Sequence, residues 1–213
     1  MVTFSNKIAF DFDGTLVDVA RRDWCVYTTL LDGRLGQAFE PLGFKPYWEL
    51  RRNKALLRDV LPEGYDIVRY VAERNKLIER RVFLELDTLF PNVKETLEKL
   101  STRFELWLVT TRKDDFELAG QLYDKGIYHL FDDRIVLTPA NKREAFETIS
   151  PAFVVGDTEL DIIPAKELGI PTIALTTGIR SADQINTFKP DWVFDDISSI
   201  SKLLLTDAGS PIS

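Results

Sequence analysis

The sequence predicts an α/β fold: a doubly wound core around a parallel sheet, carrying an inserted helical lobe. Three observations predict it. Short apolar runs alternate with helical patterns along most of the chain. Those runs are apolar almost without interruption, as strands buried on both faces are. One long stretch, residues 19–87, breaks the alternation and holds helical patterns alone. The length of 213 residues suits one sizeable domain with a smaller insertion, at about 150 residues per domain.

In chain order, residues 7–12 (KIAFDF) form the first strand. Helical patterns follow over 19–31, 47–60 and 65–86, divided by breakers at Gly33, Gly43, Pro46, Pro62 and Gly64. The segment 39–48 (FEPLGFKPYW) reads as a loop that faces a ligand, or as packing for the lobe. Beyond it, residues 92–100 place Val93, Leu97 and Leu100 at helical spacing behind Pro91. Strands are expected at 104–110 (FELWLVT), 134–137, 153–156 (FVVG), 172–175 (TIAL) and 192–194. Helices are expected at 114–125, closed by Gly126, at 142–149, and at 163–168, closed by Gly169. Pro164 sits best in a first turn, so residues 157–161 are expected to be loop. The predicted domains are a core of residues 1–18 and 88–213, with 19–87 as the helical insertion. The tail, TDAGSPIS, is expected to fray.

Composition narrows the chemistry. One cysteine, Cys25, closes no internal disulfide, and it reads as a core residue. One histidine, His129, leaves no His-rich metal centre and reads as a surface residue. Catalysis must therefore lean on carboxylates, Lys, Arg and hydroxyls, and carboxylates prefer hard cations. With 34 acids against 27 bases the formal charge is −7, which disfavours nucleic acid and anionic membranes as partners. Mean hydropathy is −0.11, and neither a membrane-length apolar run nor a secretory leader is visible, so a cytoplasmic protein is expected.

Four elements could carry chemistry. The first strand ends in Asp11-Phe12-Asp13-Gly14. Acids two residues apart on extended backbone point the same way and repel unless a cation joins them; a D-G turn is the plainer reading. Gly156-Asp157 and Asp161 repeat the arrangement after another strand, or else complement a helix dipole. Thr110, Thr111 and Arg112 end a strand where hydroxyl and N–H groups can hold a phosphate, although threonine also caps helices. Lys142 opens a helix, where most lysines are simply solvated.

Taken together these resemble the haloacid dehalogenase superfamily. DFDGTLVD (11–18) is similar to its first motif, WLVTTR with Thr110 to its second, Lys142 to its third, and Gly156, Asp157 and Asp161 to its fourth, over the whole core. The resemblance implies a Rossmann-like core and a magnesium-dependent phosphatase, with Asp11 as the nucleophile forming an aspartyl-phosphate. Asp13 would serve as acid and base. Thr110, Thr111, Gly14 and Lys142 would hold the phosphoryl group, and Asp11, Asp13 (through its carbonyl), Asp157 and Asp161 would hold Mg²⁺. Asp13 favours a phosphoester over a halide. Residues 19–87 resemble the cap of phosphoglycolate-phosphatase-like members, although Val19 stands where many have Ser. Its basic and aromatic residues (Arg21, Arg22, Arg51, Arg52, Lys54, Arg58, Arg69, Arg74, Lys76, Arg80 and Arg81 with Trp24, Tyr47 and Trp48) read as clamps for an anion or as a solvated face. The implied partner is a small phosphorylated metabolite, and the chain is expected as monomer or homodimer. The alternatives are a phosphomutase of the β-phosphoglucomutase type and a non-catalytic binding protein on the same fold.

Overall fold

The computed structural model describes residues 5–33, 38–53, 57–131, 134–138 and 141–205. The TDAGSPIS tail, Lys54, residues 139–140 of the turn before Lys142 and the side chain of Arg58 lie outside the described residues. The core is one six-stranded parallel sheet. It consists of β1 (Lys7–Phe10), β4 (Glu105–Thr110), β5 (Ile135–Leu137), β6 (Phe153–Gly156), β7 (Thr172–Leu175) and β8 (Trp192–Phe194). Their order across the sheet is β5-β4-β1-β6-β7-β8, and every pairing is parallel.

Burial on both faces explains the unbroken apolar strands. Along β1, Ile8 and Phe10 join the cluster on one face, and Ala9 joins the cluster on the other. Leu106 and Leu108 of β4 likewise face one way while Val109 faces the other. The first face is covered by α6 (Val93–Ser101), α7 (Asp115–Asp124) and α11 (Ser198–Leu205), the second by α8 (Arg143–Ile149) and α9 (Glu159–Glu167). From β1 the chain winds out through β4 and β5, then returns to β6 on the other side. The winding therefore reverses at the carboxyl end of β1, where open α/β sheets bind ligands.

Between β1 and β4 run α1 (Ala20–Leu31), α2 (Phe44–Arg52), α3 (Leu57–Val60), α4 (Ile67–Leu77) and α5 (Arg81–Leu84). They pack on a cluster of their own, where Tyr27 stacks on Tyr47 at 4.4 Å between ring centroids. The chain enters and leaves through a two-residue ribbon, β2 (Val17–Asp18) against β3 (Thr88–Leu89).

Three expectations about elements are corrected. Residues 65–86 are not one helix, because the chain breaks at 78–80 to bring Glu79 across to the core, where its carboxylate accepts from the N–H groups of Lys113 and Asp114 at 3.0 Å each. Residues 39–48 are not all loop, since α2 begins at Phe44 and buries Tyr47. Helix α9 begins at Glu159, four residues earlier than Pro164 suggested. Thr158 caps it and Asp161 reaches back to Thr158, a reciprocal pair that outweighs the proline's missing donor. Helix α10 (Ala182–Thr187) and α11 were not anticipated at all.

Candidate active site

At the end of β1 the backbone leaves the sheet. The Asp11 N–H still donates to Val155 at 2.9 Å, but the N–H groups of Leu16 and Val17 fold back onto the Phe12 carbonyl. The two acids of the opening motif therefore part, and do not share one direction as extended backbone would require. Asp11 accepts from Lys142 Nζ at 2.5 Å. Asp13 turns the other way, into a two-bond grip by Arg112, with Nε to Oδ2 and Nη2 to Oδ1 both 2.6 Å. Arg22 adds a contact at 2.9 Å. Burial alone would raise the Asp13 carboxyl, but the Arg112 and Arg22 guanidiniums outweigh it and hold it well below the usual range.

Asp11 meets Asp157 and Asp161 instead, one oxygen from each lying within 4.8 Å of the others. Asp157 is fixed by the Thr15 hydroxyl at 2.9 Å and the Ile179 N–H at 2.6 Å. Asp161 accepts from Lys142 at 2.6 Å and, through its other oxygen, from the Thr158 hydroxyl at 2.9 Å. Gly14, at φ +86°, is required here: a Cβ would run into the Asp157 carboxylate. Its N–H donates to the Val17 carbonyl at 2.8 Å.

The electrostatics of this cluster fit a divalent cation. Three buried carboxylates face one buried ammonium, which leaves two negative charges without a partner in the cluster. Burial pushes Asp11 up to about 7, with Lys142 opposing and Asp161 reinforcing the rise. Burial, then Asp11 and Asp161, raises Asp157 well above its ordinary value. Lys142 moves up despite burial, because Asp11 and Asp161 hold its proton. An all-oxygen donor set of this charge is what Mg²⁺ takes.

A cavity of about 440 Å³ opens over Asp11, Asp13 and Lys142. Thr111 lines it; Thr110 is buried, and its hydroxyl accepts from the Arg112 N–H at 3.3 Å. From the helical insertion Trp48, Arg22, Arg51 and Arg74 line the roof. Arg51 and Arg74 both hold Asp23, which Tyr47 also bonds at 2.9 Å. Of the basic residues of the insertion among the described residues, then, Arg22, Arg51 and Arg74 face this cavity. Arg52 instead binds the Thr176 carbonyl at 2.5 Å, and Arg81 pairs with Asp124 at the surface. His129 is exposed and Cys25 half-buried. Asp23 and Asp87, both buried acids that organise these arginines, were not singled out from the sequence as site residues. An acid beside Arg22 on an aromatic helix was the available signal for Asp23; Asp87 had none.

Comparisons with known proteins agree with this geometry. A family model described as "HAD-hyrolase-like" matches residues 138–200, which hold Lys142, Asp157 and Asp161. The phosphoglycolate phosphatase of Haemophilus influenzae (strain Rd) is 31% identical over 96% of this chain and 100% of its own. That of Vibrio cholerae is 30% identical, covering 94% and 97%. A haloacid dehalogenase-like hydrolase from Streptococcus pneumoniae superposes with a TM-score of 0.74 at 24% identity, covering 95% of this chain and 99% of that one. No helix among the described residues is long and apolar enough to cross a membrane. Motif order, sheet topology and full-length similarity converge: the chain belongs to the haloacid dehalogenase superfamily, in its phosphoglycolate-phosphatase-like branch, and is a phosphatase acting on phosphomonoesters.

Proposed function

We propose that the chain is a Mg²⁺-dependent phosphatase that works through an aspartyl-phosphate on Asp11. The observation that carries this reading is the buried Asp11–Asp157–Asp161 cluster with Lys142 bonded to two of its members. Asp11 stands at a strand end with one oxygen held by Lys142, leaving the other to attack phosphorus in line. Lys142 neutralises phosphoryl oxygens and opposes the rise that burial imposes on the Asp11 carboxyl. Thr111 offers its hydroxyl at the cavity wall, and Thr110 supports the turn beneath it. Asp13 protonates the leaving oxygen and then takes a proton from water. Bound among Asp11, Asp157 and Asp161, with the Asp13 carbonyl, the cation supplies charge neutralisation of the phosphoryl oxygens.

The helical insertion, residues 19–87, acts as a cap on a core of residues 1–18 and 88–213. Its Arg51 and Arg74, aligned by Asp23, would receive an anionic group on the alcohol side of the substrate. A small cytoplasmic phosphoester with a second negative charge fits, phosphoglycolate among them. A panel of phosphorylated metabolites assayed with Mg²⁺ tests this directly. Esters carrying a carboxylate or second phosphate should be turned over best, chelator should abolish turnover, and Mg²⁺ should restore it better than the larger Ca²⁺. Full activity in excess chelator, or no trapped acyl phosphate on Asp11, would refute the reading.

A further inference from the structure

Lys142 bonds Asp11 and Asp161, and the third acid of the cluster, Asp157, is fixed from elsewhere. Its Oδ1 accepts from the Thr15 hydroxyl at 2.9 Å and its Oδ2 from the Ile179 N–H at 2.6 Å. Ile179 belongs to the loop of residues 176–181, between β7 and α10. That loop lies so close that a Cβ on Gly178 would run into both the Asp157 carboxylate and the Gly14 carbonyl. A Cβ on Gly14 would strike the same carboxylate, so two glycines pinch it. Where the loop sits therefore decides where the Asp157 carboxylate sits.

Two arginines brace the loop. Arg52, the last residue of α2, donates through Nη2 to the Thr176 carbonyl at 2.5 Å and to the Arg180 carbonyl at 3.5 Å. Its own carbonyl accepts from the Ser181 N–H at 3.0 Å. The final carbonyls of a helix have no partner inside it, so this bond closes α2 while it anchors the loop. Arg180 grips Glu159 by two bonds, Nε to Oε2 and Nη2 to Oε1, both 2.9 Å. The two side chains are only 14% and 18% exposed, and a charged two-bond pair of this kind fixes direction as well as distance. Glu159 opens α9, two residues after Asp157 and two before Asp161. The pair thus ties the loop that fixes one acid to the helix that carries another.

We propose that Arg52, Gly178 and Arg180 are positioning residues for the cation: through the 176–181 loop they hold the Asp157 carboxylate in the place where it meets Asp11 and Asp161. Arg52 belongs to the helical insertion, so a residue of the insertion helps to set the affinity of the core for its metal. Removing a group that orients a metal ligand costs about 10- to 100-fold in metal affinity. Arg52 and Arg180 act through one further bond, the Ile179 N–H, so the lower end of that range applies. The inference rests on Asp157 being a ligand of Mg²⁺.

The test titrates Mg²⁺ alone into the full chain by calorimetry, without substrate, for D157N, R52Q, R180Q, R180K, E159Q and G178A. R52Q and R180Q should each weaken Mg²⁺ binding about tenfold, and G178A at least as much. R180K should not rescue, because an ammonium cannot make the two-bond grip on Glu159. E159Q should match R180Q, and the double variant should cost no more than about twofold beyond either, since both act through one pair. With Mg²⁺ saturating, kcat should return to within about twofold of the unmodified protein, which separates a weakened metal site from a damaged catalytic one. If G178A does not fold by circular dichroism, R52Q and R180Q carry the comparison, since neither introduces a clash. Mg²⁺ affinity within about twofold of the unmodified protein in both R52Q and R180Q would overturn the proposal, whatever happens to the KM for the ester. D157N that binds Mg²⁺ undiminished would sink both the metal reading and this proposal. Binding lost in D157N but kept in R52Q and R180Q would sink the positioning alone.

Discussion

A carboxyl pushed up to about 7, as Asp11 is, holds its proton about half the time at neutral pH and cannot then attack phosphorus. Burial raises both Asp11 and Asp157 in the folded state, so between the ordinary carboxylate range and about pH 7 the folded protein binds protons that the unfolded chain has released. For Asp11 that stability is fully present below about pH 4 and is lost as pH rises through about 7, and Asp157 shifts in the same direction. In chelator, the thermal midpoint should therefore fall between about pH 5 and about pH 8, and excess Mg²⁺ should remove most of that fall. A flat profile in chelator would mean that the cluster is less crowded than its geometry implies. Asp11→Asn should cut turnover at least ~10³-fold, about 4 kcal/mol of barrier, and should raise the midpoint of the chelated protein at the alkaline end. A variant that retained turnover would rule Asp11 out as nucleophile. Asp11, Lys142, Asp157 and Asp161 could be read from the chain because each sits at a strand end or helix start, a place the sequence marks. The grip on Asp13 could not, since Arg112 lies 99 residues away and only tertiary packing brings it there.

Helix α9 shows why boundaries resist reading. Pro164 was the visible signal, yet the helix tolerates it in the sixth position because Thr158 and Asp161 close the first turn reciprocally. The same hydroxyl steadies Asp161 in the acidic cluster, so cap and candidate site share a residue. Thr158→Ala should cost ~1 kcal/mol in chemical denaturation and weaken Mg²⁺ affinity measured calorimetrically, whereas Thr158→Ser should restore both. Loss of stability with unchanged Mg²⁺ affinity would separate the cap from the site. The strands of the core were legible because burial on both faces leaves long apolar runs. Helices α10 and α11 were not, because short terminal elements repeat too few turns to show a period.

At the scale of the molecule, among the described residues the hydrophobic cluster beneath β1 draws none of its fully buried members from between Val19 and Val93. Trp48 packs against that cluster and against the insertion's own cluster, and it lines the cavity as well. Trp48→Ala should therefore loosen the seating of the insertion more than the fold, raising KM several-fold with a loss near ~2 kcal/mol in stability. An unchanged KM would remove Trp48 from the cavity wall. The β2–β3 ribbon carries a consequence of another kind. Val17 sits opposite Leu89 and Asp18 opposite Thr88, so the whole helical excursion begins and ends within one strand spacing. Joining Asp18 to Thr88 through an Asn-Gly turn asks the backbone only for an ordinary hairpin. The shortened chain should fold cooperatively and still hydrolyse a reactive aryl phosphate, with its preference for anionic alcohols gone; a failure to fold would show that the core leans on the insertion. For a designer, the ribbon is a socket: another substrate-reading module with closely spaced ends could be grafted there without redrawing the sheet below.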